Sequence, residues 1–301
     1  MSSLDPVHTF ANGVRVYRRH LLPIQLERYQ QKNVHEADEE EYFVELIRSL
    51  PVGGLYIDVG AAIGYYVILA RFLRQDLIIH AFEPLPAHRQ YLAENLQLNG
   101  LEGDSRILVH DEAVAGTSNG ALLEDRFFGS RLTKEKRSSA YLTRLASIWA
   151  SLRGKSVNHV PIATTTLDLF IGALGCDADL VQMDIQGFEA EALSGARECL
   201  RRKAIRTFLI GTHGVDQHNR CRILLTSNGY SITLENRTPK NQPDGILIGS
   251  VHFRTWRSIS PPFSPSSNPS NSCSSKPTDE YASVSMIRLV MRPSSEITVS
   301  M

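Results

Sequence analysis

The chain has 301 residues, of which 42% are hydrophobic, which is enough for one sizeable α/β domain with appendages but too little for two large ones. Lysine plus arginine equals aspartate plus glutamate, at 32 each, so no overall charge favours binding to nucleic acid or to an anionic membrane. The four cysteines have neither the spacing of a zinc or redox site nor the density of a disulfide scaffold, so we expect reduced thiols.

The N-terminus, MSSLDPVHTF, lacks the basic and apolar segments of an export signal. No later run approaches the roughly 18 apolar residues of a membrane-spanning helix. We therefore expect a cytoplasmic protein without a membrane span. Residues 1–40 are predicted to be an N-terminal extension, in which Val14–Tyr17 can form one strand of a hairpin.

The first predicted helix is Glu36–Ser49, which has amphipathic spacing and ends before Pro51. His35 and Glu36 are possible site residues. An acidic first helical turn is nevertheless the simpler explanation of Glu36.

The stretch Leu55–Pro84 has the pattern of a strand, a glycine-rich turn, a helix and a second strand. The predicted strands are Leu55–Val59 and Leu77–Phe82, and the predicted helix between them is Tyr65–Leu73. Such a βαβ unit holds an adenosine-type cofactor. The second strand closes on Glu83, whose carboxylate is placed to accept hydrogen bonds from ribose hydroxyls.

The turn of this unit distinguishes between cofactors. Gly60 and Gly64 let the backbone bend sharply and let a ligand approach closely, because they carry no Cβ. Dinucleotide sites need G-x-G-x-x-G, but Ala62 occupies the place of the middle glycine, so a pyrophosphate is disfavoured. Asp58 gives the loop a fixed negative charge, which suits a cationic ligand such as a sulfonium cofactor. A nicotinamide oxidoreductase on a similar sheet is the less favoured alternative.

A helix is predicted for Pro86–Asn99 and a third strand for Ile107–Val109. By analogy with the fold, acids at that strand end lie beside an adenine, so Asp111 or Glu112 is a candidate contact to the base. A solvated turn acid explains them equally well.

Residues 126–155 contain eight basic residues against one acid, with apolar residues at helical spacing. This pattern predicts a basic amphipathic helix inserted between core strands. A lid over an acidic substrate, a docking surface for an acidic carrier protein and a membrane-surface helix all fit it. An insertion that packs its apolar face on the core and leaves its basic face solvated fits equally well.

The second half of the chain continues the alternation of strands and helices. Asp184 lies near the end of a strand that should pair with Leu55–Val59, and His213 follows the next strand. The predicted helices are Leu167–Leu174, Ala190–Arg202 and Gln217–Ser227, and the predicted strands are Ala178–Ile185, Ile205–Ile210, Ser231–Leu234 and Ile246–Val251.

Two sequence motifs carry a family resemblance. DVGAAIGYY at 58–66, followed by AFEP, resembles the cofactor loop of class I S-adenosylmethionine-dependent methyltransferases. VQMDIQGFEAEALSGA at 181–196 resembles the second signature of the FkbM methyltransferase family. The resemblance covers roughly Tyr42–Gly249 and implies a Rossmann-like class I methyltransferase fold, α/β with a mostly parallel sheet and helices on both faces. It implies S-adenosyl-L-methionine as the cofactor, and the candidate cofactor-binding residues are Asp58, Gly60, Gly64, Tyr65, Glu83, Glu112 and Asp184.

The resemblance implies O-methylation of a small molecule or a sugar, with Asp184, Gly187 and Glu189 matching the D-x-x-G-x-E part of the signature. Asp184 would face both cofactor and acceptor. His213, with an ordinary pKa of about 6.5, is the candidate general base, and Glu189 is the alternative. The sequence departs from the family at two places. It has Gln182 where a lysine is usual, and Gly211 where an acid precedes the histidine.

The resulting organisation is an extension at 1–40, a methyltransferase domain at 41–256 with the insertion at about 126–155, and a Ser/Pro-rich tail at 257–301 that we expect to be disordered. A non-catalytic cofactor-binding or interaction module on the same fold is the alternative function. Nucleic-acid methylation is weaker, because the Asn/Asp-Pro-Pro-aromatic run of base N-methylating enzymes is absent from the second signature. The expected partner is a small-molecule or sugar acceptor, and no metal is expected.

Overall fold

The computed structural model describes residues 5–125, 131–132, 158–240, 242 and 244–251. The helix predicted within 126–155 and the tail predicted to be disordered at 257–301 lie outside the described residues. No helix in the described part of the chain is long and apolar enough to cross a membrane.

The secondary structure alternates along the chain. Its helices are α1 (Pro23–Gln31), α2 (Ala37–Ser49), α3 (Tyr65–Leu73), α4 (Pro86–Leu98), α5 (Leu167–Leu174), α6 (Glu189–Ser194), α7 (Arg197–Arg202) and α8 (Val215–Ser227). Its strands are β1 (Val7–Thr9), β2 (Arg15–Tyr17), β3 (Leu55–Val59), β4 (Ile78–Phe82), β5 (Ile107–His110), β6 (Ala113–Val114), β7 (Ala121–Asp125), β8 (Arg131–Leu132), β9 (Asn158–Ile162), β10 (Thr164–Thr165), β11 (Ala178–Met183), β12 (Ile205–Thr212), β13 (Ser231–Asn236) and β14 (Gly245–Ser250).

A seven-stranded sheet in the order β13-β14-β12-β11-β3-β4-β5 organises the described residues. The five strands from β12 to β5 pair in parallel, while β14 and β13 are antiparallel additions at one edge. β11 pairs with β3, as the sequence predicted. The chain runs from β3 outward to β4 and β5 and later returns to β11 on the other side, so strand order reverses between β3 and β11. This is where α/β sheets bind ligands.

Two apolar clusters cover the two faces of this sheet, which confirms the predicted layers. One cluster contains residues of α1 to α4 and the N-terminal segment, such as Phe10, Phe43 and Leu92. The other contains residues of α5 to α8, such as Ile171 and Leu225. Every residue of β3 and β11 is buried, because central parallel strands are covered on both faces.

The N-terminal segment forms part of this packing. β1 and β2 form the hairpin that Val14–Tyr17 indicated. Phe10 packs edge to face on Tyr65 at 4.7 Å between ring centroids, which brings the segment onto the start of α3. Asn95 of α4 is fully buried, accepts a hydrogen bond from the Tyr17 backbone N–H and donates one to the Ile63 carbonyl.

The predicted single helix Ala190–Arg202 is wrong, because the chain forms α6 and α7 instead. Gly195 packs so closely that a Cβ there would stand 2.3 Å from the Ala115 carbonyl oxygen. Asp168 then accepts hydrogen bonds from the backbone N–H groups of Glu198 and Cys199, which satisfies the start of α7. A side chain distant in sequence therefore restarts the helix.

Around the insertion, β7, β8 and β9 form a separate antiparallel sheet. Its strands carry no strong alternation of apolar and polar residues, and the sequence analysis did not predict them.

Candidate active site

A pocket opens at the carboxyl ends of β3, β4 and β11. Asp58 on β3, Glu83 after β4 and Asp184 after β11 all line it. Three of the four polar strand ends singled out in the sequence therefore meet in one cavity. The fourth, His213 after β12, contacts Asp184 directly, with His213 Nε2 3.6 Å from Asp184 Oδ1.

Glu83 is held in place by the loop that it faces. Its Oε2 accepts a hydrogen bond from the Ala62 backbone N–H at 2.9 Å, and its Oε1 accepts one from Leu85 at 2.9 Å. Ala62 itself has a left-handed φ of 47°, a conformation that a non-glycine residue rarely adopts. Each carboxylate oxygen keeps a second lone pair, so Glu83 remains able to accept hydrogen bonds from a ligand.

Gly60 is required by the fold as well as by the pocket. A Cβ at this position would stand 2.1 Å from the Asp184 carbonyl oxygen, and the residue has a φ of 95°. The missing side chain of Gly60 therefore lets the chain at the end of β11 pack closely against the loop. Gly60 also lines the pocket.

Gly64, a candidate cofactor-binding residue in the sequence analysis, is not among the residues that line the pocket. It takes a left-handed φ of 83° as the N-cap of α3, and a Cβ there would meet Leu92 Cγ at 3.0 Å. The pocket wall passes from Ile63 directly to Tyr65. Tyr65 OH donates a hydrogen bond to Glu40 Oε2 at 2.5 Å and accepts one from Asn12 Nδ2 at 2.7 Å.

Asp58 does not carry the fixed charge expected of it. It is 4% exposed, and burial, followed by repulsion from Asp184, raises its pKa to about 7. Near neutral pH this carboxyl group therefore exchanges between its neutral and charged forms. Among the described residues, its Oδ2 atom has no hydrogen-bond partner.

On the far side of the pocket, His213 lies among three carboxylates. Its Nδ1 is 2.8 Å from Oε1 of the fully buried Glu189. Its Nε2 is 3.2 Å from Asp244 Oδ1 and 3.6 Å from Asp184 Oδ1. Asp184 and Glu189 of the D-x-x-G-x-E signature and His213 thus form one connected group.

The expectation that His213 has an ordinary pKa is wrong. Burial lowers its pKa, but the hydrogen bond to Glu189 and the charges of Asp184, Glu189 and Asp244 outweigh that effect and raise the pKa to about 10. At neutral pH the ring is therefore an imidazolium, which donates hydrogen bonds and cannot accept a proton. Burial raises the pKa of Asp184 to about 6, although the charge of His213 opposes this shift.

Two acids at the start of α2 lie close to Asp184: Glu36, which the sequence analysis named as a possible site residue, and Glu39, which it did not name. Glu36 lines the pocket and makes no helix-capping hydrogen bond, so an acidic first turn does not account for it. Glu39 is 1% exposed, and burial followed by the charge of Asp184 raises its pKa to about 8. Glu39 and Glu40 follow Glu36 by three and four residues, about one helical turn, and that spacing at the start of an amphipathic helix was the available signal.

Gln182 connects α2 to the sheet. It is 1% exposed, accepts a hydrogen bond from Tyr56 OH at 2.6 Å and donates one to Glu39 Oε1 at 2.9 Å. The neutral amide thus takes a place where a lysine would have supplied a positive charge. Gly211, the other departure from the family pattern, leaves space in which a Cβ would stand 3.4 Å from Glu39 Oε2 and 3.6 Å from Asp184 Cγ.

The candidate adenine contact Glu112 is partly exposed. The pocket wall at this point is formed by the next two residues, Ala113 and Val114. Apolar residues of this kind suit the face of a base.

Comparison with known proteins gives a family match. The model of the methyltransferase FkbM domain matches residues 58–232. No curated protein matches the sequence significantly.

Several solved methyltransferase structures are similar to the chain. One is a methyltransferase FkbM from Methylobacillus flagellatus KT, with 19% identity over 70% of this chain and 50% of that one and a TM-score of 0.42. A precorrin-6y C5,15-methyltransferase from Geobacter metallireducens GS-15 has 12% identity over 73% and 90% of the two chains and a TM-score of 0.39. TrmK of M. capricolum, solved with S-adenosyl-homocysteine, has 12% identity over 69% and 67% and a TM-score of 0.37. The chain spans half the length of the first of these proteins.

Proposed function

The chain belongs to the FkbM methyltransferase family, and on that premise we propose that it transfers the methyl group of S-adenosyl-L-methionine to a hydroxyl group of a small molecule or a sugar. One observation carries this proposal. Glu83 after β4 and Asp184 after β11 line the same pocket from the two sides of β3. In this proposal Glu83 anchors the cofactor and Asp184 faces the acceptor.

The residues of the pocket fit this cofactor. Glu83 keeps lone pairs for the ribose hydroxyls, and the apolar wall at Ala113 and Val114 suits an adenine face. Asp58 has a buried carboxylate oxygen without a partner among the described residues, and Asp184 adds a second acid. Asp184, together with Asp58 in its charged form, favours a sulfonium cation over a pyrophosphate.

The bound cofactor would supply an activated methyl group for an in-line displacement, in which the hydroxyl proton passes to solvent water, so the protein chiefly aligns the acceptor. We assign this alignment to Asp184, which lines the pocket. Glu189 and His213 are positioning residues, because Glu189 accepts from His213 Nδ1 and His213 Nε2 approaches Asp184. His213 is a hydrogen-bond donor in this proposal, in place of the base that its sequence position suggested.

Transfer of a labelled methyl group tests the function. The wild-type protein is incubated with methyl-tritiated S-adenosyl-L-methionine and matched pairs of acceptors that carry either a hydroxyl or an amine on the same sugar or aromatic skeleton. We expect label on the hydroxyl compounds only. Label confined to amines would contradict O-methylation, and saturable binding of NADH without binding of S-adenosyl-homocysteine would contradict a methyltransferase.

A further inference from the structure

The acids around His213 come from separate parts of the chain and surround one small volume. Asp184 follows β11, Asp244 precedes β14, and Glu36 precedes α2. Ligand-type oxygen atoms of these three residues lie within 4.8 Å of one another. Asp184, Glu189 and His213 form a second group within the same limit. Asp184 belongs to both groups, so they adjoin.

The two ring nitrogens of His213 have different surroundings. Nδ1 is 2.8 Å from Glu189 Oε1, and that oxygen also accepts from the Gly187 backbone N–H at 2.9 Å. Nε2 has no hydrogen-bond partner among the described residues, although it lies 3.2 Å from Asp244 Oδ1 and 3.6 Å from Asp184 Oδ1. A histidine that binds a metal characteristically presents one nitrogen to the ion while a carboxylate holds the other.

The distances around Nε2 match those between neighbouring ligands of one ion. Ligand atoms at about 2.0–2.2 Å from a divalent transition metal are roughly 3.0–3.5 Å apart in octahedral or tetrahedral geometry. His213 Nε2 lies at 3.2 Å from one carboxylate oxygen and 3.6 Å from the other. Small side-chain adjustments would bring all three atoms around an ion.

A second observation points to a missing ligand. Glu189 is fully buried, and its Oε2 atom has no partner in the described part of the chain. Oε2 of Glu39, which is 1% exposed, likewise lacks one. Among the described residues, His213 is the ion-pair partner of all three acids Asp184, Glu189 and Asp244. Buried carboxylates are costly unless they are paired or coordinate a metal.

We propose that His213 Nε2 and carboxylate oxygens of Asp184, Asp244 and Glu36 bind one divalent transition-metal ion, with Glu189 orienting the imidazole. One nitrogen and up to three oxygens suit Mn²⁺ or Zn²⁺ better than Mg²⁺, which prefers oxygen ligands alone.

The role of the ion in catalysis rests on the proposed function. Asp184 lines the pocket, so an ion bound to it is within reach of an acceptor there. A hydroxyl that coordinates the ion has a lower pKa and releases its proton to solvent water.

Metal titration tests the site independently of activity. Full-length protein is stripped with EDTA and titrated calorimetrically with MnCl₂, and variants His213→Gln and Asp244→Asn are compared with it. We expect one Mn²⁺ per wild-type chain and at least tenfold weaker binding in each variant. Glu235→Gln is the matched control, because Glu235 lies 3.3 Å from His218 in a histidine–carboxylate pair outside the cluster, and it should bind as the wild type does.

Pulsed electron paramagnetic resonance of bound Mn²⁺ identifies the ligand. We expect a nitrogen modulation in the wild type that disappears in His213→Gln. If His213→Gln does not fold, the calorimetric titration of Asp244→Asn still tests the site. Absence of Mn²⁺ and Zn²⁺ binding to folded wild type, or binding in both variants that is as tight as in wild type, would overturn the proposal. Titration of S-adenosyl-homocysteine in the presence of EDTA separates the metal site from the proposed function. If S-adenosyl-homocysteine binds but metal does not, the metal site is wrong and the proposed function still stands.

Discussion

Single residues in the cofactor loop serve the fold and the pocket at the same time. Gly60 illustrates this, since its missing Cβ admits the carbonyl of Asp184 and its backbone also lines the cavity. The two strands that carry the proposed cofactor and acceptor residues can meet only because this residue is glycine. A loop selected for cofactor contact alone would not need that approach.

Replacement of Gly60 by alanine should therefore destabilise the protein strongly. The new Cβ would overlap a backbone oxygen at 2.1 Å, in addition to the cost of a φ of 95°. We expect a loss of about 3 kcal/mol or more in the free energy of unfolding. Urea denaturation followed by circular dichroism measures it.

Gly13→Ala is the control for this prediction. Gly13 has a φ of 90°, but nothing lies within 4 Å of its added Cβ. Only the conformational cost applies, so we expect about 1–2 kcal/mol. Equal losses in the two variants would show that the contact with Asp184 does not matter.

Some residues of the candidate site could be identified from the sequence and others could not. Glu83 and Asp184 were found because each follows an apolar strand within a known motif. Glu39 and Asp244 belong to no motif and act on Asp184 only because α2 and the β14 edge pack beside it. Their role depends on contacts between distant segments, which a single sequence does not record.

At the scale of elements, local patterns predicted the central sheet well. The bounds of β3, α3 and α5 agree with the sequence predictions, because buried strands and amphipathic helices have strong periodic signals. The break between α6 and α7 was missed, since Gly195 and Asp168 act through tertiary contacts. The small strands β6 to β10 were missed as well, because two to five residues carry little periodicity.

Asn95 connects three elements, and its removal should show how firmly the N-terminal segment is attached. Its side chain contacts the Tyr17 backbone N–H, the His20 ring and the Ile63 carbonyl. Asn95→Ala leaves these buried groups unpaired, so we expect a loss of about 2–4 kcal/mol in the free energy of unfolding. Thermal and urea denaturation both measure it.

Gln97→Ala is the matched control in the same helix, because Gln97 is exposed. We expect a change within about 0.5 kcal/mol there. A small effect of Asn95→Ala, similar to that of the control, would mean that water replaces the lost contacts and that the segment is held mainly by Phe10 and its apolar neighbours.

At the scale of the whole molecule, buried histidines make stability depend on pH. His80 lies 2.8 Å from His110 and packs on Phe170. Burial, followed by the charge of His110, lowers the pKa of His80 from 6.5 to about 4. Between these values the unfolded chain binds a proton that the folded chain does not, so stability falls as the pH falls below 6.5.

We therefore expect wild type to lose more stability than His80→Phe when the pH is lowered from 7.5 to 5. The difference should be about 1–2 kcal/mol in urea denaturation. Part of the loss of stability will remain in His80→Phe, because burial also lowers the pKa of His20. Identical losses in both proteins would exclude His80 as the responsible group.

The proposed function requires that the pocket between β4 and β11 bind S-adenosyl-L-methionine through Glu83. Calorimetric titration of S-adenosyl-homocysteine into wild type, Glu83→Gln and the exposed control Glu102→Gln tests it most directly. We expect micromolar binding, about −8 kcal/mol, in wild type and control, and at least tenfold weaker binding in Glu83→Gln, because the amide cannot keep both backbone N–H partners and the ribose. Absence of binding to folded wild type, or equal binding by all three proteins, would show that Glu83 does not hold this cofactor.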